Sequence, residues 1–224
     1  MERVPEPELM AGEDQARAYA EADFEEPHRR VLEVFHGCFP GLSVRGPVLD
    51  LGCGPGDITR RFAEAFPGCE VHGVDGSPAM LRQARRLLAV SPARHRVRLV
   101  LGVLPDAPLA RSAYDLVVSN SLLHHLADPG VLWRAARAFG RPGAAVFVMD
   151  LRRPDSPAEA AALVDRYAGG EPEILRRDFF RSLLAAYRPG EVRRQLEAAG
   201  LHHFEVQAVG DRHLAAWGRL LPGG

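Results

Sequence analysis

The chain has 224 residues, 46% of them hydrophobic, which is enough to bury one sizeable core. Its formal net charge of −1 gives no general electrostatic case for binding nucleic acid or a membrane surface. All 28 basic residues are arginine, so Schiff-base chemistry on a lysine is excluded. Because the three cysteines lack metal-ligand spacing and neither a signal peptide nor a membrane-length apolar run is visible, we expect a soluble, cytoplasmic protein.

The first 44 residues are predicted to form a helical cap. Residues 1–12 are rich in proline and glutamate, and we expect them to be loosely ordered. Residues 13–24 contain strong helix formers and predict a first helix. Pro27 suits the first turn of a second helix, because the missing N–H of a proline costs nothing there.

Residues 48–56 predict a buried strand followed by a tight turn. The segment Val-Leu-Asp-Leu at 48–51 is largely apolar without helical spacing, which is typical of a parallel strand. Glycines follow at alternate positions, namely Gly52, Gly54 and Gly56. A helical pattern begins at Asp57. This arrangement brings backbone amides and a helix N-terminus against a ligand, because glycine has no Cβ to block the approach.

A second short strand, residues 70–74, ends next to Asp75, which lies 25 positions after Asp50. An acid that hydrogen-bonds a ribose is expected about 20 residues past the glycine turn of a nucleotide-binding fold. The glycines do not fit the G-x-G-x-x-G spacing of dinucleotide-binding proteins, since counting from Gly52 places Asp57 at the last glycine. They fit acidic-x-G-x-G-x-G, with Asp50 as the acidic member.

With these paired motifs, the chain resembles the class I S-adenosylmethionine-dependent methyltransferases, well over about residues 45–150 and loosely over the last 35 residues. The resemblance implies that the glycine turn lies under the methionyl part of the cofactor and that Asp75 accepts both ribose hydroxyls. It also implies that Asp50 helps to hold the turn and the cofactor's ammonium end. The complete set of cofactor-binding residues expected from it is Asp50, Gly52, Cys53, Gly54, Gly56, Asp75, Gly76, Met80, Val103, Leu104 and Asn120.

Beyond the turn, strands are predicted to alternate with helices. Ser77 and Pro78 predict the N-cap and first position of a helix, and another helix carries the apolar residues of 131–139. Pro142-Gly143 is predicted to turn the chain into the fifth strand. The remaining strands are predicted at 97–101, 115–120, 145–150, 203–209 and 213–220. The alternation predicts a doubly wound α/β fold, and the resemblance implies a Rossmann-like, seven-stranded, mostly parallel sheet with an antiparallel last strand.

Residues 151–187 interrupt this alternation and predict a helical insertion. One helix begins near Ser156, a second runs through residues 174–184, and a final helix spans residues 191–199. We expect the insertion to cover the C-terminal edge of the sheet, where α/β folds bind ligands. The expected division of one domain is an N-terminal helical cap (1–44), a cofactor-binding core (45–150), an acceptor-site insertion (151–187), and a final helix with a hairpin (188–224).

One position departs from the family pattern. Many members place an aspartate directly after the glycine that ends strand three, where it accepts from the adenine amino group. Here Val103 follows that glycine. We hypothesise that Val103 packs on the adenine face and that the backbone amide of Leu104 serves an adenine ring nitrogen, with Asp106 as the less favoured alternative acid.

Residues 119–126 resemble the family's segment after strand four, which passes beside the transferable methyl group. His124 or His125 is a candidate base towards the acceptor, although such histidines often only pack and hydrogen-bond. In the family, N-terminal helices close over the cofactor, so Tyr19 is either the aromatic nearest the ligand or a core side chain. No metal site is predicted, because neither histidine pair has an acid nearby at metal-ligand spacing.

We therefore predict methyl transfer to a small-molecule acceptor by in-line displacement. Arg152 and Arg153 are candidates for recognising an anionic acceptor, or a solvated pair. No nucleic-acid or membrane partner is predicted, since the chain lacks N/D-P-P-Y/F and Pro-Cys motifs and an RNA-binding domain. The alternatives are a nicotinamide-dependent oxidoreductase of Rossmann type and a non-catalytic S-adenosylmethionine-binding protein. The acceptor, the oligomeric state and the role of Asp211-Arg212-His213 are left open.

Overall fold

The computed structural model describes residues 1–6, 12–22 and 25–222. The helices are α1 (Glu13–Glu21), α2 (Glu25–Cys38), α3 (Asp57–Ala65), α4 (Pro78–Ala89), α5 (Gly130–Phe139), α6 (Pro157–Ala168), α7 (Glu173–Ala185) and α8 (Pro189–Ala198). The strands are β1 (Val48–Leu51), β2 (Val71–Asp75), β3 (Val97–Leu101), β4 (Tyr114–Asn120), β5 (Gly140–Leu151), β6 (Glu205–Val209) and β7 (His213–Arg219). Short 3₁₀ helices occupy Arg94–Arg96 and Leu123–His125.

Two predicted features fall partly outside these ranges: residues 7–11 of the N-terminal lead and residues 23–24 of the first helix. Within the ranges that the structure describes, no helix combines the length and apolarity needed to cross a membrane.

The strands form one seven-stranded sheet in the order β3-β2-β1-β4-β5-β7-β6. β1 pairs in parallel with β2 and β4, whereas β7 runs antiparallel to both β5 and β6. This topology confirms the predicted Rossmann-like sheet with an antiparallel last strand. The chain builds outwards from β1 to β3 and then returns to add β4 on the other side. The crevice between β1 and β4 is therefore the topological switch point at which such sheets bind ligands.

Helices cover both faces of the sheet, and β1 contributes to the core on each side. Leu49 joins an apolar cluster that includes Trp133 of α5. Val48 points to the opposite face and joins Phe35 of α2 and Phe62 of α3. The rings of Phe35 and Phe62 meet edge to face with their centroids 5.2 Å apart, a preferred aromatic geometry. Burial on both faces explains why three of the four residues of β1 are apolar and why they do not alternate with exposed polar residues.

Strand β5 starts earlier than predicted. Gly140 already pairs with Tyr114, and regular pairing resumes with Ala145 opposite Leu116. The intervening residues bulge out of the ladder, because Pro142 has no N–H to donate. The predicted turn thus lies in a bulge within the strand. The other helix and strand boundaries differ from the predicted ones by a few residues at most.

The N-terminal lead was expected to be loosely ordered, and for residues 1–6 this expectation is wrong. The Arg3 guanidinium donates to the carbonyl oxygen of Ala185 at 2.5 Å, and the Val4 amide donates to that of Leu184 at 3.1 Å. These contacts hold the first residues of the chain across the end of α7. Proline and glutamate content gave no signal of contacts with residues so distant in sequence.

The turn between β1 and α3 is left-handed at each of its glycines. The φ angles are +71° at Gly52, +51° at Gly54 and +88° at Gly56. Gly56 is also the N-cap of α3, where an added Cβ would lie only 2.9 Å from the Cβ of Ala84 in α4. Glycine is required at this position both by the backbone conformation and by the close approach of α4.

Gly56→Ala should lower the free energy of unfolding by about 2–4 kcal/mol, because it adds a strained φ angle and an overpacked contact with Ala84. Urea unfolding measures the change. Gly68→Ala is the matched control: Gly68 does not have a positive φ and an added Cβ meets nothing within 4 Å, so the change should stay within about 0.5 kcal/mol. Equal effects of the two substitutions would contradict the proposed constraint at Gly56.

Candidate functional site

A cavity of about 510 Å³ opens at the C-terminal ends of β1, β2 and β4. This volume lies within the range of small-molecule sites. The sequence-predicted residues that line it are Tyr19, Asp50, Gly52, Cys53, Gly54, Asp75, Gly76, Met80, Val103, Leu104, Asn120, His124 and His125. Of the predicted set, Gly56 is the member that does not line the cavity, since it packs behind the turn against Ala84.

Backbone hydrogen bonds hold the glycine turn against β2. The amides of Gly52 and Cys53 both donate to the carbonyl oxygen of Val74, at 2.8 and 3.0 Å. The Gly54 amide then donates to Oδ2 of Asp75 at 2.9 Å. An added Cβ at Gly54 would meet no atom within 4 Å, so this part of the turn is open to a ligand.

Asp75 is positioned by two backbone donors. Besides the Gly54 amide at Oδ2, its Oδ1 accepts from the Ser77 amide at 2.7 Å. Burial raises the pKa of Asp75 above its usual value, and these two N–H donors oppose that rise. Each carboxylate oxygen has a second acceptor direction, so Asp75 retains the capacity to receive two ligand hydroxyls.

Asp50 lies beneath the turn with 1% of its surface exposed. Its Oδ2 accepts from the hydroxyl of Thr59, in α3, at 2.6 Å. Burial raises the pKa of Asp50 to about 7, the Thr59 hydrogen bond opposes this rise, and the nearby Asp75 adds to it. Sequence reasoning missed Thr59, although its place in the first turn of the helix that packs on β1 was an available signal.

The segment after β3 lines the opposite wall with apolar groups. Val103 and Leu104 both face the cavity, and Val103 is 59% exposed. Asp106, the alternative acid, is exposed and does not line the cavity. Within the described residues, therefore, the structure supplies no carboxylate from this loop to the cavity.

Strand β4 ends at the cavity with Asn120 and Ser121. The Asn120 amide nitrogen donates to the Ser121 hydroxyl at 3.1 Å. Ser121 has a φ of +55°, a left-handed conformation that is uncommon outside glycine. Such backbone strain concentrates at functional sites.

His124 is buried at 2% exposure, and its Nδ1 lies 2.5 Å from Oδ1 of Asp150. Burial alone would lower the pKa of His124, but the carboxylates of Asp150 and Glu6 raise it above its usual value. The pKa of Asp150 is lowered despite burial, because His124 and the Leu123 amide stabilise its charged form. The two groups thus favour each other's charged form, and the Nδ1 atom of His124 is engaged by Asp150.

Glu6 joins the two adjacent histidines. Its Oε1 lies 3.4 Å from Nε2 of His124 and 3.3 Å from Nδ1 of His125, and it accepts from the Ser182 hydroxyl at 3.0 Å. One ligand atom of each of the three residues lies within 4.8 Å of the others, close enough to hold a metal ion together. The expectation that no acid lies near this pair is wrong, because Glu6 reaches it from the distant N-terminal segment.

Tyr19 faces the cavity from α1 and also packs against Met80 and Ala16. Tyr19 thus lines the cavity and also packs on core side chains, and its contact with a ligand stays a prediction. Burial and the nearby Asp150 raise the pKa of Tyr19 to about 12, so the phenol stays protonated at neutral pH.

The arginines predicted to face an acceptor do not line the cavity. Arg153 is 5% exposed and donates to the Glu191 carboxylate at 2.6 Å. Arg152 donates to the carbonyl oxygen of Asp211 at 2.8 Å. Both guanidinium groups thus stabilise the fold. The arginine that does line the cavity is Arg212.

Sequence reasoning also left the far end of the cavity unassigned. There, Asp178 of α7 accepts from the side chain of Gln15 at 2.7 Å, which links the insertion to α1. The further lining residues from the insertion are Tyr167, Ala168, Glu171, Leu175, Phe179 and Ser182.

Asp150→Asn should lower the free energy of unfolding by on the order of 3 kcal/mol near pH 6, since it removes one partner of a buried ion pair. Because the pKa of His124 is raised in the folded protein, the stabilisation that His124 adds to the free energy of unfolding is fully present below about pH 6.5. It is lost as the pH rises through the pKa of the folded state. Because the pKa of Asp150 is lowered in the folded protein, the stabilisation that Asp150 adds is present above about pH 4 and is lost when the pH falls further.

Urea unfolding of both proteins from pH 5 to 9 measures this difference. Asp128→Asn is the control, because Asp128 is an exposed partner of Arg134 and should contribute at most about 1 kcal/mol. A difference between wild type and Asp150→Asn that is constant across the range would contradict an ionised pair.

Comparisons with known proteins agree with this geometry. Residues 49–146 match the model of a methyltransferase domain family. A malonyl-[acyl-carrier protein] O-methyltransferase from Legionella pneumophila is 37% identical over 87 residues, covering 39% of this chain and 30% of that protein. A trans-aconitate 2-methyltransferase from Methylobacterium radiotolerans is 39% identical over 114 residues, covering 50% and 39%. The chain spans less than half the length of these two relatives.

The fold is shared with solved structures at low sequence identity. A SAM-dependent methyltransferase from Aquifex aeolicus has a TM-score of 0.66 at 17% identity, covering 94% of this chain and 99% of that one. Human N-acetylserotonin methyltransferase, in complex with SAM, has a TM-score of 0.66 at 21% identity, covering 93% and 55%. Residues 49–146 therefore match a methyltransferase domain family, and the solved structures show that the fold of this chain is the one found in these S-adenosylmethionine-dependent methyltransferases.

Proposed function

We propose that the protein is an S-adenosylmethionine-dependent methyltransferase that acts on a small-molecule acceptor. The observation that carries this proposal is the junction of the glycine turn with Asp75. There the Gly54 amide donates a hydrogen bond to the Asp75 carboxylate at 2.9 Å, in the wall of the cavity. That junction places backbone amides, a helix N-terminus and a ribose-binding type of carboxylate side by side.

The residues present fit the cofactor. Gly54 leaves open space where a side chain would stand, and the cavity volume of about 510 Å³ is adequate. In our proposal the amides of the turn and the start of α3 bind the cofactor carboxylate, while Asp50 holds its ammonium group. Asp75 accepts the ribose hydroxyls, and Val103 packs against the adenine with the Leu104 amide beside it. When bound, the cofactor supplies an activated methyl group.

The chain itself supplies alignment and exclusion of water, which suffice for an in-line displacement at carbon. Tyr19 and His125 face the cavity and are the groups proposed to touch the acceptor. Because His124 is 2% exposed and its Nδ1 is engaged by Asp150, we assign His124 a positioning role rather than that of a base. His125 remains the candidate base, with Glu6 near its Nδ1.

We further propose that the acceptor is anionic. Both relatives compared above carry the name of a carboxylic acid acceptor, malonyl or aconitate.

Of the alternative functions, a nicotinamide-dependent oxidoreductase is disfavoured. Its glycine pattern requires a glycine at position 57, but this chain has an aspartate there, which is bound by His28 and two arginines. A non-catalytic binding protein is the alternative that only a turnover assay excludes.

The cysteines bear on the cellular compartment. Cys38, Cys53 and Cys69 are free thiols, and burial raises the pKa of Cys53 well above its usual value. Unpaired thiols are typical of a reducing environment, so we infer a cytoplasmic location.

Calorimetric titration with S-adenosylhomocysteine, and separately with NADH, tests the proposed cofactor. We expect micromolar binding of the first and none of the second. Formation of S-adenosylhomocysteine from S-adenosylmethionine, with a panel of small carboxylic acids as acceptors, then tests turnover. Binding of NADH alone would overturn the proposal, and binding of S-adenosylhomocysteine without any turnover would favour the non-catalytic alternative.

Asp75→Asn should weaken S-adenosylhomocysteine binding at least tenfold, since it removes charge-assisted hydrogen bonds worth about 1.5–3 kcal/mol each. Asp106→Asn is the same chemical change at an exposed position outside the cavity, and its affinity should equal that of wild type. The titration above measures both variants. Wild-type affinity in Asp75→Asn would remove the ribose assignment.

The affinity for S-adenosylhomocysteine should also depend on Asp50. Because burial raises the pKa of Asp50 to about 7, the side chain must release a proton to hold an ammonium group below that pH. Affinity should therefore be nearly constant above pH 7 and fall as pH drops through this value, approaching about tenfold per pH unit. Calorimetry from pH 5.5 to 8.5 measures the trend, and a flat profile would argue against Asp50 as the ammonium partner.

A further inference from the structure

The turn between β6 and β7 brings a positive charge to the cavity. Gly210, with a φ of +64°, starts a tight turn through Asp211 to Arg212. Arg212 and the following His213 both line the cavity wall. In sequence this triplet had no assigned role, because nothing local indicates that a C-terminal hairpin reaches a site formed by the first four strands.

The Arg212 side chain is held in a defined orientation. Its guanidinium carbon lies 3.3 Å from the centroid of the Tyr167 ring, in α6. The Tyr167 hydroxyl in turn donates to Oδ2 of Asp211 at 2.8 Å. The Arg212 carbonyl oxygen accepts from the Arg152 amide at 2.8 Å, which fixes the backbone beneath it. Stacking on a ring leaves the N–H edge of a guanidinium available for a planar acceptor.

No carboxylate of the described residues forms an ion pair with Arg212. The adjacent Asp211 is occupied by Arg166, at 3.0 Å, and by the Tyr167 hydroxyl. His213 adds no positive charge near neutral pH, because burial and Arg212 lower the pKa of His213 to about 4. Arg212 is thus a positively charged side chain held in a defined orientation in the cavity wall. Among the described residues that line the cavity, Arg212 is the arginine.

We propose that Arg212 is the anion-binding residue of the acceptor site and binds a carboxylate of the acceptor through paired N–H donors. This inference rests on the proposed function and assigns the residue that recognises the acceptor. A guanidinium and a carboxylate match in geometry and form two parallel hydrogen bonds. Tyr167 is the positioning residue, since its ring supports the guanidinium and its hydroxyl anchors the turn. Acceptors with a second carboxylate are therefore preferred over their neutral amide analogues.

The test measures binding of malonate and trans-aconitate, with malonamide as the neutral analogue, to ¹⁵N-labelled protein. Titrations are followed through the arginine Nε–Hε signals and run with and without saturating S-adenosylhomocysteine. We expect saturable binding of at least one carboxylate, a shift of the Arg212 signal, and no response to malonamide. Arg212→Gln should weaken that binding at least tenfold.

Arg166→Gln is the matched control, because Arg166 pairs with the same Asp211 but is exposed and does not line the cavity. It should bind the carboxylates as wild type does. Arg212→Lys keeps the charge without the planar fork and should give an intermediate affinity. Thermal unfolding of each variant, compared with wild type, separates lost binding from a damaged fold.

Absence of saturable carboxylate binding to wild type, or equal affinities of Arg212→Gln and Arg166→Gln, would overturn the assignment of Arg212. The affinity of Arg212→Gln for S-adenosylhomocysteine should match that of wild type. Failure of wild type to bind S-adenosylhomocysteine would instead refute the proposed function, while the titrations without it still decide whether Arg212 binds carboxylates.

Discussion

The left-handed turn between β1 and α3 is the constraint on which the rest of the site depends. Its amides at Gly52 and Cys53 both bind the carbonyl oxygen of Val74, which fixes the end of β1 against the end of β2. Only then does the Gly54 amide meet Asp75. The same turn starts α3 in a direction that places the Thr59 hydroxyl over the buried carboxylate of Asp50. One backbone conformation therefore positions two carboxylates and a helix N-terminus at once, and glycine is needed because L side chains rarely adopt it.

A second set of interactions organises the other end of the cavity, and it joins segments that are distant in sequence. Asp150 lies one residue before the end of β5, His124 follows β4, and Glu6 comes from the first residues of the chain. A buried charge is costly unless it is paired and hydrogen-bonded. Here the imidazole of His124 lies between two carboxylates, which raise its pKa, and Asp150 also accepts from the Leu123 amide. The pair of histidines is therefore positioned as a unit, with His124 as its buried anchor and His125 at the cavity surface.

Local patterns carried most of what the sequence could predict. The strand at 48–51, the glycine turn and the cap at Ser77 each depend on neighbours within a few positions, so the residues themselves indicate the structure. The roles of Glu6 and Arg212 in the site depend instead on where segments distant in sequence come together in the fold. The periodicity of apolar residues does not predict such contacts. The error at Arg153 has the same origin, because only the packed structure shows that Glu191 neutralises it in the interior.

The charges around the cavity are separated in a way that can orient a substrate. Asp50 and Asp75 lie beside the glycine turn on β1 and β2, whereas Arg212 enters from the turn between β6 and β7 and stacks on Tyr167 of α6. In a partly buried site, charges act over several ångströms with less screening than in water. Arg212 attracts a carboxylate of the ligand, whereas Asp50 and Asp75 attract a cationic group; Asp178, which also lines the cavity, accepts a hydrogen bond from Gln15. An anionic acceptor and a positively charged methyl donor would then occupy opposite ends of one cavity, with His125 and Tyr19 also lining its wall. Methylation of a carboxylate requires no strong base, because a carboxylate is already ionised at neutral pH and the site need only align it.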